Sequence, residues 1–452
     1  MTDLARASLE HSGGAMTTTS RPGALDAVGS LAASLLAGGS VVLLGDGVPK
    51  CVGGDDVDAR VEAQLAERYE LHHVVAPAGE HGVVLDEATV DATAVDAEGA
   101  ELIVSVGSGT VTDLAKVVGA RLGVPVVAVQ TAASVNGFAD SLSVLVQKGA
   151  KRTSPSAWPA ALVIDHDVLA DAPDRLTRSG VGDAVAVWTS PADWYLACAL
   201  GVDPGPYSDA FTAPVRDAVV AMTAPEASDA ERMSGLVDAL TLGGLMIGAA
   251  GSTAPLSGCE HLLSHVLDMR AMAEHVEHDL HGAQVGVASV VAAALWDVAL
   301  HDERILDVAV DDLQPPADLR ERVLATWAPV DPSGALGEEC WIAVERKVAR
   351  WQEQRDGVAA FLDDRERHRS ELERLAGDPA SCAAALAAWG APATFSTLTP
   401  SVDADRARWA LAALPFMRDR MTLADLLLFA GRWDDALVER VLARAGEAGG
   451  GL

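Results

Sequence analysis

Five of the chain's 12 histidines, His261, His265, His275, His278 and His281, fall within 21 residues, where even scatter would place fewer than one. In GCEHLLSHVLD, His261 and His265 stand four apart, so on a helix they share one face. Leu262, Leu263 and Val266 turn toward packing. His281 opens HGAQVGVAS, where Gly282 lets a backbone come close. A helical histidine pair with a third histidine within 20 residues reads as a metal or catalytic site; the alternative is packed or surface histidines. A three-ligand site needs one more donor. Asp183, in SGVGDAVAVW, is the best candidate: an acid entering a strongly apolar helix, or else a first-turn acid favouring the helix dipole.

A second constellation could hold an anion. ELIVSV runs into Gly107-Ser108-Gly109-Thr110-Val111-Thr112-Asp113, two glycines in a tight turn with a helix opening behind it. Helix-opening N–H groups and the dipole make a seat for a pyrophosphate. The G-x-G-x-x-G fingerprint is incomplete, because Thr112 stands where the third glycine would be. A plain strand-to-helix turn is the alternative. Thr131, Ala132 and Ser134 end the next strand on the same rim, where ligands of open α/β sheets bind. Only five lysines occur, and Lys116, Lys148 and Lys151 lie near that rim, with Arg152 following. They form a phosphate seat or a basic hairpin tip.

The elements that must position these residues change character along the chain. Residues 40–46, 72–77, 101–107, 124–131 and 161–165 read as buried strands, separated by helical stretches such as Val57–Leu71 and Thr112–Leu122. That alternation predicts a parallel sheet covered on both faces. Residues 142–147 suit an extra hairpin strand. Beyond Asp171 the period is near 3.6, and eight to ten helices are expected. One buried helix is expected over 184–202 and a solvated helix pair over 341–375. The division is a loose leader over 1–22, an α/β nucleotide-binding domain over 23–172, and an all-α domain over 173–452.

Composition limits the partners. There are 452 residues, 65 acids against 33 Lys plus Arg, a formal charge of −32 and a mean hydropathy of +0.20. Such an acidic chain repels nucleic acid and anionic membrane. Five scattered cysteines without a C-x-x-C pair indicate a reduced, cytoplasmic protein. The N-terminus has no signal-peptide h-region, and no uninterrupted apolar run of about 18 residues is found.

GSGTVTDLAK, TAASVNGFAD, SGVGD, SGCEHLLSH and HGAQVGVAS occur in the order found in sn-glycerol-1-phosphate dehydrogenases. The chain resembles their bacterial branch, within the superfamily of iron-containing alcohol dehydrogenase, glycerol dehydrogenase and dehydroquinate synthase. The resemblance is good over residues 30–300 and looser beyond. It implies that superfamily's fold and NAD(H) or NADP(H) at Gly107, Ser108, Gly109, Thr110 and Asp113, with Thr131 and Ser134 on the nicotinamide side. It implies a metal on Asp183, His261 and His281 in a cleft between domains. Iron-dependent relatives have a fourth ligand, a histidine, where this chain has Val187. Three ligands and an open position suit Zn²⁺, with Ni²⁺ the alternative, better than Fe²⁺. Aspartate rather than glutamate as first ligand favours the dehydrogenase branch.

Asn136-Gly137 stands where the family has Asp-Gly, an acid that faces the substrate hydroxyls, and Cys259 replaces a serine. The expected reaction is reversible hydride transfer to a small anionic ketone, with dihydroxyacetone phosphate becoming sn-glycerol 1-phosphate. Asn136, Lys148, Lys151 and His265 are expected at the substrate, and His265, one turn from His261, is a candidate proton relay. A homodimer is expected. The runner-up is a reductase of another anionic ketone, a phosphonate or carboxylate. Other readings are a cyclase like dehydroquinate synthase, and an inactive nucleotide-binding regulator or scaffold, against which the Asp/His/His trio argues.

Overall fold

A computed structural model of the chain describes residues 3–79, 82–203 and 205–452. It divides into two compact units. The described residues up to Gln147, with Lys151–Gly180 and Asp217–Thr253, form the first; Lys148–Ala150, Val181–Arg216 and Ala254–Leu452 form the second.

The first unit is built on a six-stranded parallel sheet: β1 (Thr17–Arg21), β2 (Gly39–Gly45), β3 (Tyr69–Val75), β4 (Leu102–Gly107), β5 (Val126–Gln130) and β6 (Ala161–Asp165). The strand order is β1-β6-β5-β4-β2-β3. Alternate residues of one strand enter opposite cores. Leu43, Val104 and Val106 pack with Val57, Val61 and Leu65, whereas Leu44 and Ile103 pack with Val111, Leu114 and Val118. Burial on both faces is why these strands read as continuous apolar runs. The order reverses between β2 and β4, which places the end of β4 at a topological switch point, where open α/β sheets bind ligands.

Of the stretch expected to be a loose leader, the described residues, from Asp3 on, are ordered. Asp3–His11 forms α1, and β1 pairs with β6 from Thr17↔Ala161 to Arg21↔Asp165. TTTSR carries no apolar pattern because it is an edge strand, held through its backbone and through the buried Ser8–Thr18 hydroxyl contact of 2.6 Å. The helix expected over Val57–Leu71 stops at Leu65, since Tyr69 already pairs with Gly39 in the sheet. Residues 142–147 do form a hairpin strand, partnered by Ala150–Pro155. Residues 217–253, expected in the helical domain, belong to the first unit. There Gly244 packs so closely that a Cβ would lie 2.4 Å from the Asn136 carbonyl oxygen.

The second unit is helical. More helices appear than the pattern suggested, fourteen α-helices from Asp174 onward among the described residues. The single buried helix expected over 184–202 is broken: one helix ends at Val185, a short turn follows, and another runs Ser190–Ala199 with Pro191 in its first turn. Residues 341–375 fall in three helices rather than two, and Lys347 is buried in an ion pair of 2.5 Å with Asp425. Two helical spans, Asp229–Ala250 and His281–Asp302, are long and apolar enough by length and composition to cross a membrane, although neither is an uninterrupted apolar run. The apolar window of the second is 94% buried inside the protein, as in a core helix.

Candidate metal centre and dinucleotide turn

The helix α2 (Gly109–Leu122) starts directly after β4, with Ser108 as its N-cap. The Thr131 N–H donates to the Gly107 carbonyl, tying the end of β5 to the turn. Neither glycine has a left-handed backbone; each is required by close approach. A Cβ on Gly107 would meet Val111 at 2.6 Å, and one on Gly109 would meet Val135 at 2.5 Å. Thr110 is exposed and Ser108 half-buried, leaving the helix opening accessible, while Thr131 and Ser134 are buried behind it. Asp113 turns away from the opening. Its carboxylate accepts from Lys116 at 2.9 Å, from the Ser143 hydroxyl at 3.2 Å and from the Val144 N–H at 3.4 Å.

Lys116 is not a free phosphate seat. It is wholly buried, and its ammonium also donates to Asp140 at 2.6 Å and to the Gly137 and Leu142 carbonyls at 2.8 and 2.6 Å. Burial works against its charge, but Asp113 and Asp140 raise it above the usual ammonium value. Burial, with Asp113 nearby, pushes Asp140 up to about 6 even with Lys116 upon it. Asn136 is half-buried, immediately before this loop. Lys151 is half-buried on the second hairpin strand. Lys148, at the tip, has a left-handed φ of 50° and a side chain 74% exposed, 3.7 Å from Glu339.

Within the second unit, the end of α3 (Asp174–Val185), from Val181 on, joins α4 (Cys259–Glu274) and α5 (His281–Asp297) in bringing three of the chosen residues together. Donor atoms of Asp183, His261 and His281 all lie within 4.8 Å of one another. Asp183 Oδ1 is 3.3 Å from His261 Nε2 and 3.9 Å from His281 Nε2. Ligands at tetrahedral angles on one zinc-sized ion would be about 3.3 Å apart. Glycines permit the approach: a Cβ on Gly182 would lie 2.0 Å from the Gly282 carbonyl oxygen and 3.1 Å from Gly286 Cα. Any side chain there would push α3 off α5 and carry Asp183 away from His281.

Both imidazoles present Nε2 to Asp183, and both Nδ1 atoms are held from behind. His261 Nδ1 lies 3.0 Å from Glu260, whose other anchors are the Gly258 N–H at 2.6 Å and the Thr189 hydroxyl at 2.8 Å. His281 Nδ1 lies 3.0 Å from the Ser264 hydroxyl, which donates to Gln284 at 3.2 Å. Gln284 in turn donates to the Asp279 carbonyl. This network assigns the proton to Nδ1 of His281 and leaves its Nε2 lone pair for a ligand. Burial opposes charge on His261, yet Asp183 and Glu260 together raise it to about 9. Burial works against Glu260 as well, and its hydrogen bonds from His261 and Gly258 hold it below the ordinary value. A pocket with two buried carboxylates around an imidazole calls for a cation, so the donor set fits a divalent metal.

His265 is buried, its ring stacked 5.4 Å from that of His281 and 6.5 Å from that of His261. The other two histidines of the window do other work. His275 ends α4 in a left-handed conformation, and His278 lies 3.0 Å from buried Asp268. Val187, at the fourth-ligand position, is buried and offers no donor. Sequence reasoning missed Glu260, although it stands beside His261 in the motif, and missed the internal role of Lys116.

The comparisons with known proteins fit this geometry. A profile of the iron-containing alcohol dehydrogenase family matches residues 19–173. A glycerol-1-phosphate dehydrogenase [NAD(P)+] of Halorubrum lacusprofundi is 32% identical over 282 residues, 60% of this chain and 74% of its own. The enzyme of the same name from Bacillus licheniformis is 31% identical over 243 residues, 52% of this chain and 60% of its own. The chain thus spans about 60% of the length of that relative. Among solved structures, glycerol dehydrogenase from Schizosaccharomyces pombe covers 96% of this chain and 92% of its own, with a TM-score of 0.59 at 16% identity, a likeness of fold alone. The chain belongs to the iron-containing alcohol dehydrogenase family. Its relatives within it are the glycerol-1-phosphate dehydrogenases of bacteria and archaea.

Proposed function

We propose that the chain is an NAD(P)H-linked dehydrogenase that reduces a small phosphorylated ketone, dihydroxyacetone phosphate to sn-glycerol 1-phosphate. Asp183, His261 and His281 would hold one divalent metal. The observation that carries the reading is that trio, its donors within 4.8 Å and both imidazoles held at Nδ1. When bound, the metal supplies Lewis acidity to the substrate oxygen and the dihydronicotinamide supplies a hydride. Ketone, NAD(P)H and one proton give the secondary alcohol and NAD(P)⁺.

The chain's own residues have separable tasks. The Ser108–Thr110 backbone at the start of α2 would seat the pyrophosphate, with Thr131 and Ser134 toward the nicotinamide. Asn136 would face the substrate hydroxyls. Lys148 and Lys151 would take its phosphate, Lys148 exchanging Glu339 for the ligand. His265 would pass the proton to the new alkoxide oxygen. Three donors and an apolar Val187 favour Zn²⁺, with Ni²⁺ second. The five free cysteines support a cytoplasmic protein, and a homodimer is part of the proposal.

Asn136 favours a second reading of the same class, a more anionic ketone such as a phosphonate or carboxylate. The test is oxidation of NADH and NADPH by metal-loaded protein over phosphorylated, phosphonylated and carboxylated ketones. Turnover of any of them supports a dehydrogenase, and the ranking picks the substrate. Dinucleotide binding without turnover of any ketone would overturn the proposal in favour of a scaffold.

A further inference from the structure

The Lys116 ammonium sits where two functional segments of the first unit meet. It projects from α2, whose first turn opens on the dinucleotide turn, and it reaches the loop after β5. Four oxygen acceptors converge on one buried Nζ: Asp113 at 2.9 Å on its own helix, and Asp140 at 2.6 Å, the Gly137 carbonyl at 2.8 Å and the Leu142 carbonyl at 2.6 Å on the loop. Asp140 also accepts from the Leu142 N–H at 3.0 Å, closing the loop on itself. Gly137 directly follows Asn136. On the other side, the helix Asp229–Ala250 presses Gly244 against the Asn136 carbonyl, with no room for a Cβ. Asn136 is therefore held between a charged clamp and a close helix contact.

We propose that Lys116 is a positioning residue: through Asp140 and the Gly137 and Leu142 carbonyls it fixes the Asn136 side chain relative to the pyrophosphate turn, and so sets recognition of the ketone rather than of the dinucleotide. This rests on the functional reading above. The chemistry favours a role beyond packing. Burying one ammonium against two carboxylates is a costly way to fill space, and apolar replacements of such clusters often leave stability unchanged or improved. What the cluster gives is direction: a single donor centre fixes the position of two loop carbonyls and one carboxylate at once.

The test uses Lys116→Met and the milder Asp140→Asn, which keeps the side-chain size and leaves Lys116 on Asp113. Three quantities are measured in the full chain: NADH dissociation constant by fluorescence, KM and kcat for the ketone, and amide hydrogen exchange of residues 136–142. The expected result for Asp140→Asn is exchange in that segment at least 10-fold faster and ketone KM raised 5-fold or more. NADH affinity should stay within 2-fold and kcat should fall less than KM rises. Lys116→Met should show the same pattern more strongly if it folds. Unchanged exchange at residues 136–142 in Asp140→Asn overturns the proposal, as does a KM shift matched by an equal loss of NADH affinity. If the native protein turns over no ketone, the functional reading falls by itself, and with it the link to recognition, whatever the exchange shows.

Discussion

At the scale of single residues, the candidate metal centre would depend on groups outside the Asp183, His261 and His281 trio. Glu260 fixes the His261 ring by accepting from Nδ1, and its other oxygen is anchored by Thr189. Partners of this kind typically cost 10–100-fold in metal affinity when altered. Glu260→Gln is expected to weaken metal binding about 10–100-fold in a chelator competition; affinity equal to the native protein's would return Glu260 to a packing role. Asn136 matters differently. Asparagine keeps the size of aspartate, adds two donors and removes a charge. At about 4 Å and an effective dielectric near 20, one charge pair is worth roughly 4 kcal/mol before desolvation. Asn136→Asp is therefore expected to move kcat/KM at least 10-fold toward glycerol phosphate chemistry relative to more anionic ketones. An unchanged ranking, with dihydroxyacetone phosphate already best, would make the asparagine neutral. The candidate trio was within reach of the sequence because five histidines crowd one short window and Asp183 stands as an acid among apolar residues. Glu260 and Lys116 were not, because an acid beside a histidine and a lysine on a helix look alike whether they face solvent or a buried partner.

At the scale of elements, the glycines in SGVGD and HGAQ are spacers between helices. The Gly182 Cα faces the Gly282 carbonyl with no room for a methyl. Gly182→Ala is expected to retain helical content by circular dichroism while bound metal falls below half an equivalent, because Asp183 moves with α3. Full metal content would show that α3 can shift without losing the ligand. The loop clamp makes a pH prediction. Asp140 is raised from 3.8 to about 6 by burial and by Asp113. Between those values the folded protein keeps a proton that the unfolded chain has released, so this group's contribution to stability falls as pH rises through the window. Asp140→Asn is expected to lessen the loss of stability between pH 4 and 6, read by urea unfolding; an identical slope would contradict it. Sequence marked the central strands well, since burial on both faces writes an unbroken apolar run. It missed β1, whose TTTSR is held by backbone pairing and a buried hydroxyl contact. It also merged helices across the Ala186–Trp188 turn, where the apolar pattern continues although the backbone does not.

At the scale of the whole molecule, the chain's acidity makes local cation placement decisive. With a formal charge of −32, few ammonium groups are available for an anion, and two of the five lysines are spent inside the protein, Lys116 on Asp113 and Asp140 and Lys347 on Asp425. Lysine counts in sequence could not separate these from the exposed Lys148. The division into units was likewise only half legible: the change from strands to helices after Asp171 is visible, but residues 217–253 return to the first unit through contacts of small residues such as Gly244, which carry no periodic signal. The central claim is that one metal on Asp183, His261 and His281 is needed for NAD(P)H-linked ketone reduction. The measurement is stoichiometric: chelator-stripped native protein and His261→Ala are titrated with Zn²⁺ while bound metal and NAD(P)H oxidation with dihydroxyacetone phosphate or the best ketone are read together. The account predicts that native activity rises linearly and saturates at about one equivalent, while His261→Ala gains neither metal nor turnover. Full activity in the stripped protein, or in His261→Ala, would contradict it.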